Sequence, residues 1–294
     1  MYDILIIGGG PAGLTAAIYA RRAGKKCLVL EATACGGQIL NTDKITNYPA
    51  LPSVSGPELA QNMQEQVLSL GAEIEFDKVT TISAVDGGFS VRGEDGEYTA
   101  KSVIIAAGTS PRKLGLPRED EFLGKGISYC TTCDGAFCKD KTVAIYGGGF
   151  SAAYGALYLA DIAEKVYLVH HHDELRANGS VVDAINANPK IEMVLGSDIA
   201  ELNGAEKLTN ITLADGRSLE VDALFVSIGR VPHCDFCVDL KLDNEGYIVA
   251  NESCETNIPG IFVAGDVRTK ALRQIVTATA DGAAAAEAAI RFLN

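Results

Sequence analysis

The chain has 294 residues, 47% of them hydrophobic, with a formal net charge of −13 from 25 basic and 38 acidic side chains. That length accommodates two domains with sizeable cores, and the acid excess argues against nucleic acid or an anionic membrane as partner, because phosphate backbones need a basic face. No apolar run reaches the roughly 20 residues that span a bilayer, and the start lacks the basic n-region and cleavage site of a signal peptide, so a cytoplasmic protein is expected.

Residues 2–31, YDILIIGGGPAGLTAAIYARRAGKKCLVLE, open the chain with an apolar strand, a glycine turn, an Ala-rich helix and a second strand ending in Glu31. Gly8, Gly10 and Gly13 occupy the G-x-G-x-x-G positions. Such glycines let a backbone approach a pyrophosphate, the helix N-terminus attracts its charge, and a terminal acid takes ribose hydroxyls. The pattern returns at 142–170, with Gly147, Gly149 and Ala152 in the loop and a strand ending at His170. Two such openings mean two similar nucleotide-binding domains. Apolar strands at 103–111, 223–232 and 260–267 follow each unit or close the chain, the last ending on Gly265-Asp266 before a helix. The expected fold is α/β: two Rossmann-like three-layer dinucleotide-binding domains, the second (113–242) inserted into the first (1–112 and 243–294).

Eight cysteines occupy positions 27, 35, 130, 133, 138, 234, 237 and 254. In a cytosolic chain of this size they are not a disulfide scaffold. Two C-x-x-C pairs stand out, Cys130/Cys133 and Cys234/Cys237. Four zinc ligands are one reading of the two pairs together, although they lie in different contexts. Cys234 and Cys237 read alone as partly buried loop thiols.

The segments GGGPAGLTAAIYARRAG, GGQ (36–38), NYP (47–49), AAGTSPRKLG, CTTCDG (130–135), the second glycine loop and GIFVAGDV…RQIVTATADGAAAA together resemble the low-molecular-weight thioredoxin reductases over essentially the whole chain. The resemblance implies FAD in the first domain, a redox-active disulfide in the second, reduction of thioredoxin, and a homodimer. Cofactor binding would fall to Gly8, Gly10, Pro11, Ala12, Gly13, Glu31, Gly37, Gln38, Asn47, Ala107, Gly108, Gly265, Asp266, Arg273, Gln274 and Ile275. In that set Glu31 takes the adenosine ribose and Asp266 the ribityl chain. Arg273, Gln274 and Ile275 approach the flavin ring. Cys130 and Cys133 would be the exchanging pair, their spacing suiting a one-turn disulfide. The adjacent Asp134 would be the acid that protonates a thiolate or leaving group.

The chain departs from the family's pattern at the second glycine loop. Two adjacent arginines clamp the 2′-phosphate of NADPH in that pattern, since guanidinium matches phosphate bidentately and stays charged. Here His171 and His172 stand in their place and only Arg176 remains. The family's acidic residues beyond the loop are replaced by Phe150, Tyr154 and Gly155. The triple histidine 170–172 reads as a degraded NADPH site rather than a metal site, because no fourth ligand is nearby. The resemblance is therefore to the subgroup that takes electrons from reduced ferredoxin. Arg21, Arg22, Lys25 and Lys26, or Arg112, Lys113 and Arg118, are the candidate docking patches. An NAD(P)H-dependent reductase and a non-catalytic redox-sensing flavoprotein remain alternatives.

Overall fold

The computed structural model describes every residue except 43, 178, 237 and 238. The chain forms two compact units, Met1–Ser110 with Val231–Asn294, and Pro111–Arg230.

The first unit begins with β1 (Tyr2–Ile7), α1 (Pro11–Arg22), β2 (Cys27–Glu31), α2 (Gly56–Ser69), β3 (Glu73–Phe76), β4 (Val79–Val85), β5 (Gly88–Gly93), β6 (Glu97–Ile105) and the short β7 (Thr109–Pro111). The strand order is β3-β2-β1-β6-β5-β4. The first four strands of that order are parallel and the β5–β4 arm is antiparallel. Side chains alternate across a strand. Accordingly Ile4 and Ile6 face a core built with α1 and α2, whereas Leu5 and Ile7 face one built with Val91, Leu240 and Ile248. Both faces of β1 are covered, which is why YDILII reads as a continuous apolar run instead of an alternating one.

The second unit holds α3 (Glu119–Phe122), β8 (Ile127–Ser128), α4 (Thr131–Asp134), β9 (Thr142–Tyr146), α5 (Phe150–Ala160), β10 (Lys165–Val169), α6 (Gly179–Ala187), β11 (Ile191–Val194), β12 (Ile199–Asn203), β13 (Asn210–Leu213), β14 (Ser218–Glu220) and β15 (Ala223–Val226). A parallel sheet runs β11-β10-β9-β15-β8, and β12-β13-β14 form an antiparallel sheet. Val143 and Ile145 of β9 pack toward α5, and Ala144 and Tyr146 toward Ile199, Ile211 and Leu213 of the smaller sheet. The chain then passes through β16 (Arg230–Pro232) back to the first unit, adding β17 (Ile261–Val263) and α7 (Ile275–Phe292). β17 pairs with the C-terminal half of β6, Val103–Ile105, while β5 pairs with its N-terminal half.

The boundaries expected at 112/113 and 242/243 fall instead at 110/111 and 230/231. Residues 231–242 join the first unit because Leu240 is buried in its core, Cys234 and Phe236 pack against that core, and the Ile82 N–H donates to the Phe236 carbonyl at 3.0 Å. That packing is long-range and leaves no periodic signal.

Behind the β17–α7 turn, the Asp281 carboxylate accepts from Arg268 Nη1 (3.2 Å), Lys270 Nζ (2.6 Å) and the Gly265 N–H (3.0 Å). All three side chains are nearly buried. Removing the shared anion strands two cations away from water. Asp281→Ala is expected to lower unfolding free energy by about 3 kcal/mol or more, read by chemical denaturation.

Candidate active site

The first glycine loop is dictated by contact between strand end and helix start. Gly8 has φ +104°, and a Cβ on Gly13 would lie 1.9 Å from the Gly8 carbonyl oxygen. Gly10 caps α1 without a side-chain hydrogen bond, no acid occupies the first turn, and a Cβ there would meet nothing within 4 Å. The positive end of the helix is thus open to an anion. Pro11 starts α1. Glu31, at the end of β2, accepts the Gly9 N–H at 2.7 Å and the Thr33 N–H at 2.9 Å.

The other sequence-predicted cofactor residues belong to this same unit, and several lie against the loop. A Cβ on Gly37 would be 3.5 Å from Gly10 Cα, one on Gly265 2.9 Å from Ala12 Cβ, and one on Gly8 3.0 Å from Ala107 Cα. Gly108, with φ +69°, accepts the His233 N–H at 3.1 Å. Asn47 Nδ2 donates to Gln274 Oε1 at 2.9 Å, and Arg273 Nε donates to the Asp266 carbonyl at 3.1 Å with its guanidinium 3.9 Å over the Tyr247 ring. Gln38 is exposed in the short turn after Gly37, and Ile275 opens α7. Cys35 is buried beside Gly9, where burial and then the Glu31 charge push its thiol up to about 11.

In the second unit Cys130 and Cys133 are joined in a disulfide. Cys130 caps the single turn α4, and the Cys133 N–H points at Cys130 Sγ at 3.2 Å. Ser128, at the end of β8, accepts the Cys130 N–H at 3.0 Å and donates to Asp134 Oδ2 at 2.5 Å. The Asp134 carboxylate is therefore tied to the disulfide's backbone through one hydroxyl. Sequence reasoning missed both Ser128 and the support behind it. Glu119 is buried, accepting the Leu114 and Gly115 N–H groups at 2.8 and 2.9 Å and the Tyr129 hydroxyl at 2.6 Å, which anchors the residue before Cys130. No local pattern marks Glu119, because its partners meet only in the fold. Cys234 is half-buried in the first unit with its thiol 3.5 Å from the Gly246 carbonyl, and Cys237 lies outside the described residues. Among the described residues no group of three His, Cys, Asp or Glu could hold a metal.

The second glycine loop repeats the first with different chemistry. Ala152 occupies the position of Gly13, its Cβ beside Gly147, where an added Cβ would lie 3.1 Å from it. His170 takes the place of Glu31: a Cβ on Gly148 would lie 1.9 Å from its Nε2. Its ring is buried with neither nitrogen hydrogen-bonded, and burial, then the charges of His171, His172 and Arg176, push its pKa down to about 4. His171 and His172 are exposed with ring centroids 4.1 Å apart. Tyr146 donates to Asp198, and its hydroxyl lies 3.5 Å from His171 Nδ1. Phe150 and Tyr154 are 48% and 49% exposed, so packing into the core does not account for them.

The profile of the pyridine nucleotide-disulphide oxidoreductases matches residues 2–282. A thioredoxin reductase of Treponema pallidum is 42% identical across the whole chain and 97% of its own length, and one of Peptoclostridium acidaminophilum is 43% identical across the whole chain and 98% of its own. The crystal structure of thioredoxin reductase from Streptococcus pyogenes superposes with a TM-score of 0.94 at 41% identity, covering 100% of this chain and 98% of that one. The chain belongs to the pyridine nucleotide-disulphide oxidoreductase family, and within it to the low-molecular-weight thioredoxin reductases. It is a flavin disulfide oxidoreductase whose cofactor is FAD. The first glycine loop fits that cofactor, since its close-packed glycines leave an uncapped helix end clear for a pyrophosphate. Among the described residues no helix is long and apolar enough to cross a membrane.

Two outcomes are expected. Gly10→Val, whose Cβ would meet nothing within 4 Å, should fold but purify with little FAD, whereas Gly13→Ala should lose about 1 to 3 kcal/mol of stability through overpacking. Absorbance at 450 nm and thermal unfolding separate the two. His170 titrates near 6.5 when unfolded and near 4 when folded, so acid favours the unfolded chain. Its contribution is complete above pH 6.5 and lost as the pH falls toward 4, a difference of about 3 kcal/mol. Urea midpoints across that range should fall less steeply for His170→Gln.

Proposed function

We propose that this enzyme reduces thioredoxin through the Cys130–Cys133 disulfide and takes its electrons from reduced ferredoxin rather than from NADPH. The single observation that carries the choice of donor is the second glycine loop. Exposed imidazoles, which are not permanent cations, stand where a 2′-phosphate needs them, and an aromatic pair flanks the helix start.

In the first unit, Gly8, Gly10 and Gly13 hold the pyrophosphate, and Glu31 keeps lone pairs for a ribose beside the two N–H groups it already accepts. Gly37, Ala12, Ala107 and Gly265 keep the backbone close, and Asp266, Arg273, Gln274, Ile275 and Asn47 line the remainder. Bound there, FAD supplies the electron pair that opens the disulfide. The Cys133 N–H favours a thiolate on Cys130. That thiolate attacks the partner's disulfide, forming a mixed disulfide and expelling one partner thiolate. Cys133 then attacks Cys130 Sγ, re-forms the Cys130–Cys133 bond and expels the second. Two electrons and two protons convert one disulfide to one dithiol. Asp134, linked to Ser128, is placed to hand on a proton.

Of the two basic patches, Lys113 and Arg118 are paired with Asp120 and Glu121 at 2.6 and 2.9 Å, while in the other Lys26 meets Glu73 at the longer distance of 3.8 Å and Arg21 donates to the Leu70 and Lys25 carbonyls, which carry no charge to offset its own. The Arg21–Lys26 patch is the better ferredoxin surface. A homodimer and a cytoplasmic setting complete the reading. The retained Gly147–Gly149 loop and Arg176 favour the competing reading, a pyridine nucleotide donor.

The test is anaerobic bleaching of the 450 nm band with NADPH, NADH and reduced ferredoxin in parallel. Ferredoxin should reduce the protein, more slowly as salt rises, and rapid reduction by micromolar NADPH overturns the donor assignment. His171→Arg with His172→Arg should gain less NADPH reactivity than those changes combined with Phe150→Asn and Tyr154→Glu. Cys130→Ser or Cys133→Ser should abolish thioredoxin reduction and leave the flavin reducible, with Cys234→Ser nearly silent.

A further inference from the structure

Helix α5, FSAAYGALYLA, contains no charged residue. A helix apolar all round is normally buried on every side. Here Ala152, Ala153, Ala156, Leu159 and Ala160 are buried in a core shared with the parallel sheet and α6, and the opposite face is left open. Phe150, Tyr154 and Tyr158, at i, i+4 and i+8, form an exposed stripe, with the first two rings 4.6 Å apart. The stripe adjoins the disulfide turn. A Cβ on Gly155 would lie 3.1 Å from Thr131 Cγ2, and one on Gly135 2.8 Å from the Tyr158 ring. A mid-helix glycine costs about 1 kcal/mol against alanine, and at Gly155 it lets the segment carrying Cys130 and Cys133 sit directly on α5.

We propose that this aromatic face of α5 is the docking surface for the protein disulfide substrate, a small protein that presents its disulfide within an apolar rim. The inference rests on the reading that Cys130 and Cys133 exchange with a protein disulfide. A mixed disulfide forces the partner into contact at Cys130, and a standard interface covers about 800 Å² per partner, a patch on the order of 30 Å across. From Phe150 to Tyr158 the helix advances only about 12 Å, so a partner seated on the disulfide covers the stripe as well. Charge does not oppose this occupant: on a chain of net charge −13, an uncharged aromatic strip receives a partner through apolar burial, which does not depend on the partner's sign.

The chain has no tryptophan, so tryptophan fluorescence follows a tryptophan-containing thioredoxin alone. The FAD-loaded enzyme is reduced anaerobically with stoichiometric dithionite and mixed with increasing oxidised thioredoxin by stopped flow, which removes the electron donor from the question. The variants are Phe150→Ser with Tyr154→Ser, and the apolar control Phe150→Leu with Tyr154→Phe. The polar pair should raise the half-saturating thioredoxin concentration about tenfold, the effect of losing one good apolar anchor. The limiting rate and the rate with a small aromatic disulfide should stay within about twofold of the unmodified enzyme, since substitutions at exposed positions leave the fold intact. The apolar control should behave as the unmodified enzyme. Unchanged half-saturation in the polar pair, with the unmodified enzyme active, overturns the docking surface alone. So does a change of sedimentation from dimer to monomer with thioredoxin saturation unaltered, which would give the face to a second copy. Equal loss with the small disulfide also overturns it, and an unmodified enzyme inert toward thioredoxin overturns the exchange reading with it.

Discussion

The structure turns on one close approach, a helix that must begin in contact with the last carbonyl of a strand. At Gly13 that contact leaves no volume for a methyl group. Everything in the first glycine loop follows from it. The strand end and helix start are locked together, no side chain caps the helix, and a Cβ on Gly10 would meet nothing within 4 Å. An uncapped helix start with its dipole behind it selects an anion, and a pyrophosphate is such a group. Glu31 and the loops at Gly37 and Gly265 are placed by the same packing.

The second unit shows what happens when the constraint is kept but the surrounding charges change. Its loop has the same strand, turn and helix, with Ala152 in the place of the third glycine. At the strand end a neutral buried imidazole replaces the carboxylate. Backbone geometry is thus conserved between the two halves of one chain while recognition chemistry is not. Fold and ligand are separable here, because the fold is set by where side chains are missing and the ligand by which side chains remain.

Much of this was legible because it is local in sequence. Glycines at fixed spacing, the C-T-T-C-D turn and the replacement of arginines by His171 and His172 declare themselves within a few residues. The parts that did not are long-range. The turn of chain carrying Phe236 and Leu240 belongs to the first unit because of a bond to Ile82 and burial beside Ile248, contacts no local pattern encodes. The Asp281 cluster, the Glu119–Tyr129 bond and the Tyr146–Asp198 pair are likewise polar partners brought together only by folding. From sequence, each of these acids looks like an ordinary surface charge.

One feature of the topology bears on assembly. β17 must pair with Val103–Ile105 of β6 across an interval of about 155 residues, most of which is the second unit. Within that unit the Arg112 N–H donates to the Gly229 carbonyl at 3.0 Å, so its two ends meet. Once folded, the second unit acts as a short clasp, and the chain left to be ordered when β17 docks shrinks to about 35 residues. Closing the shorter loop costs about 1 kcal/mol less entropy. The inserted unit therefore lowers the barrier to finishing the sheet that carries the first glycine loop, and damage to its core would appear as slow maturation of the half it does not belong to.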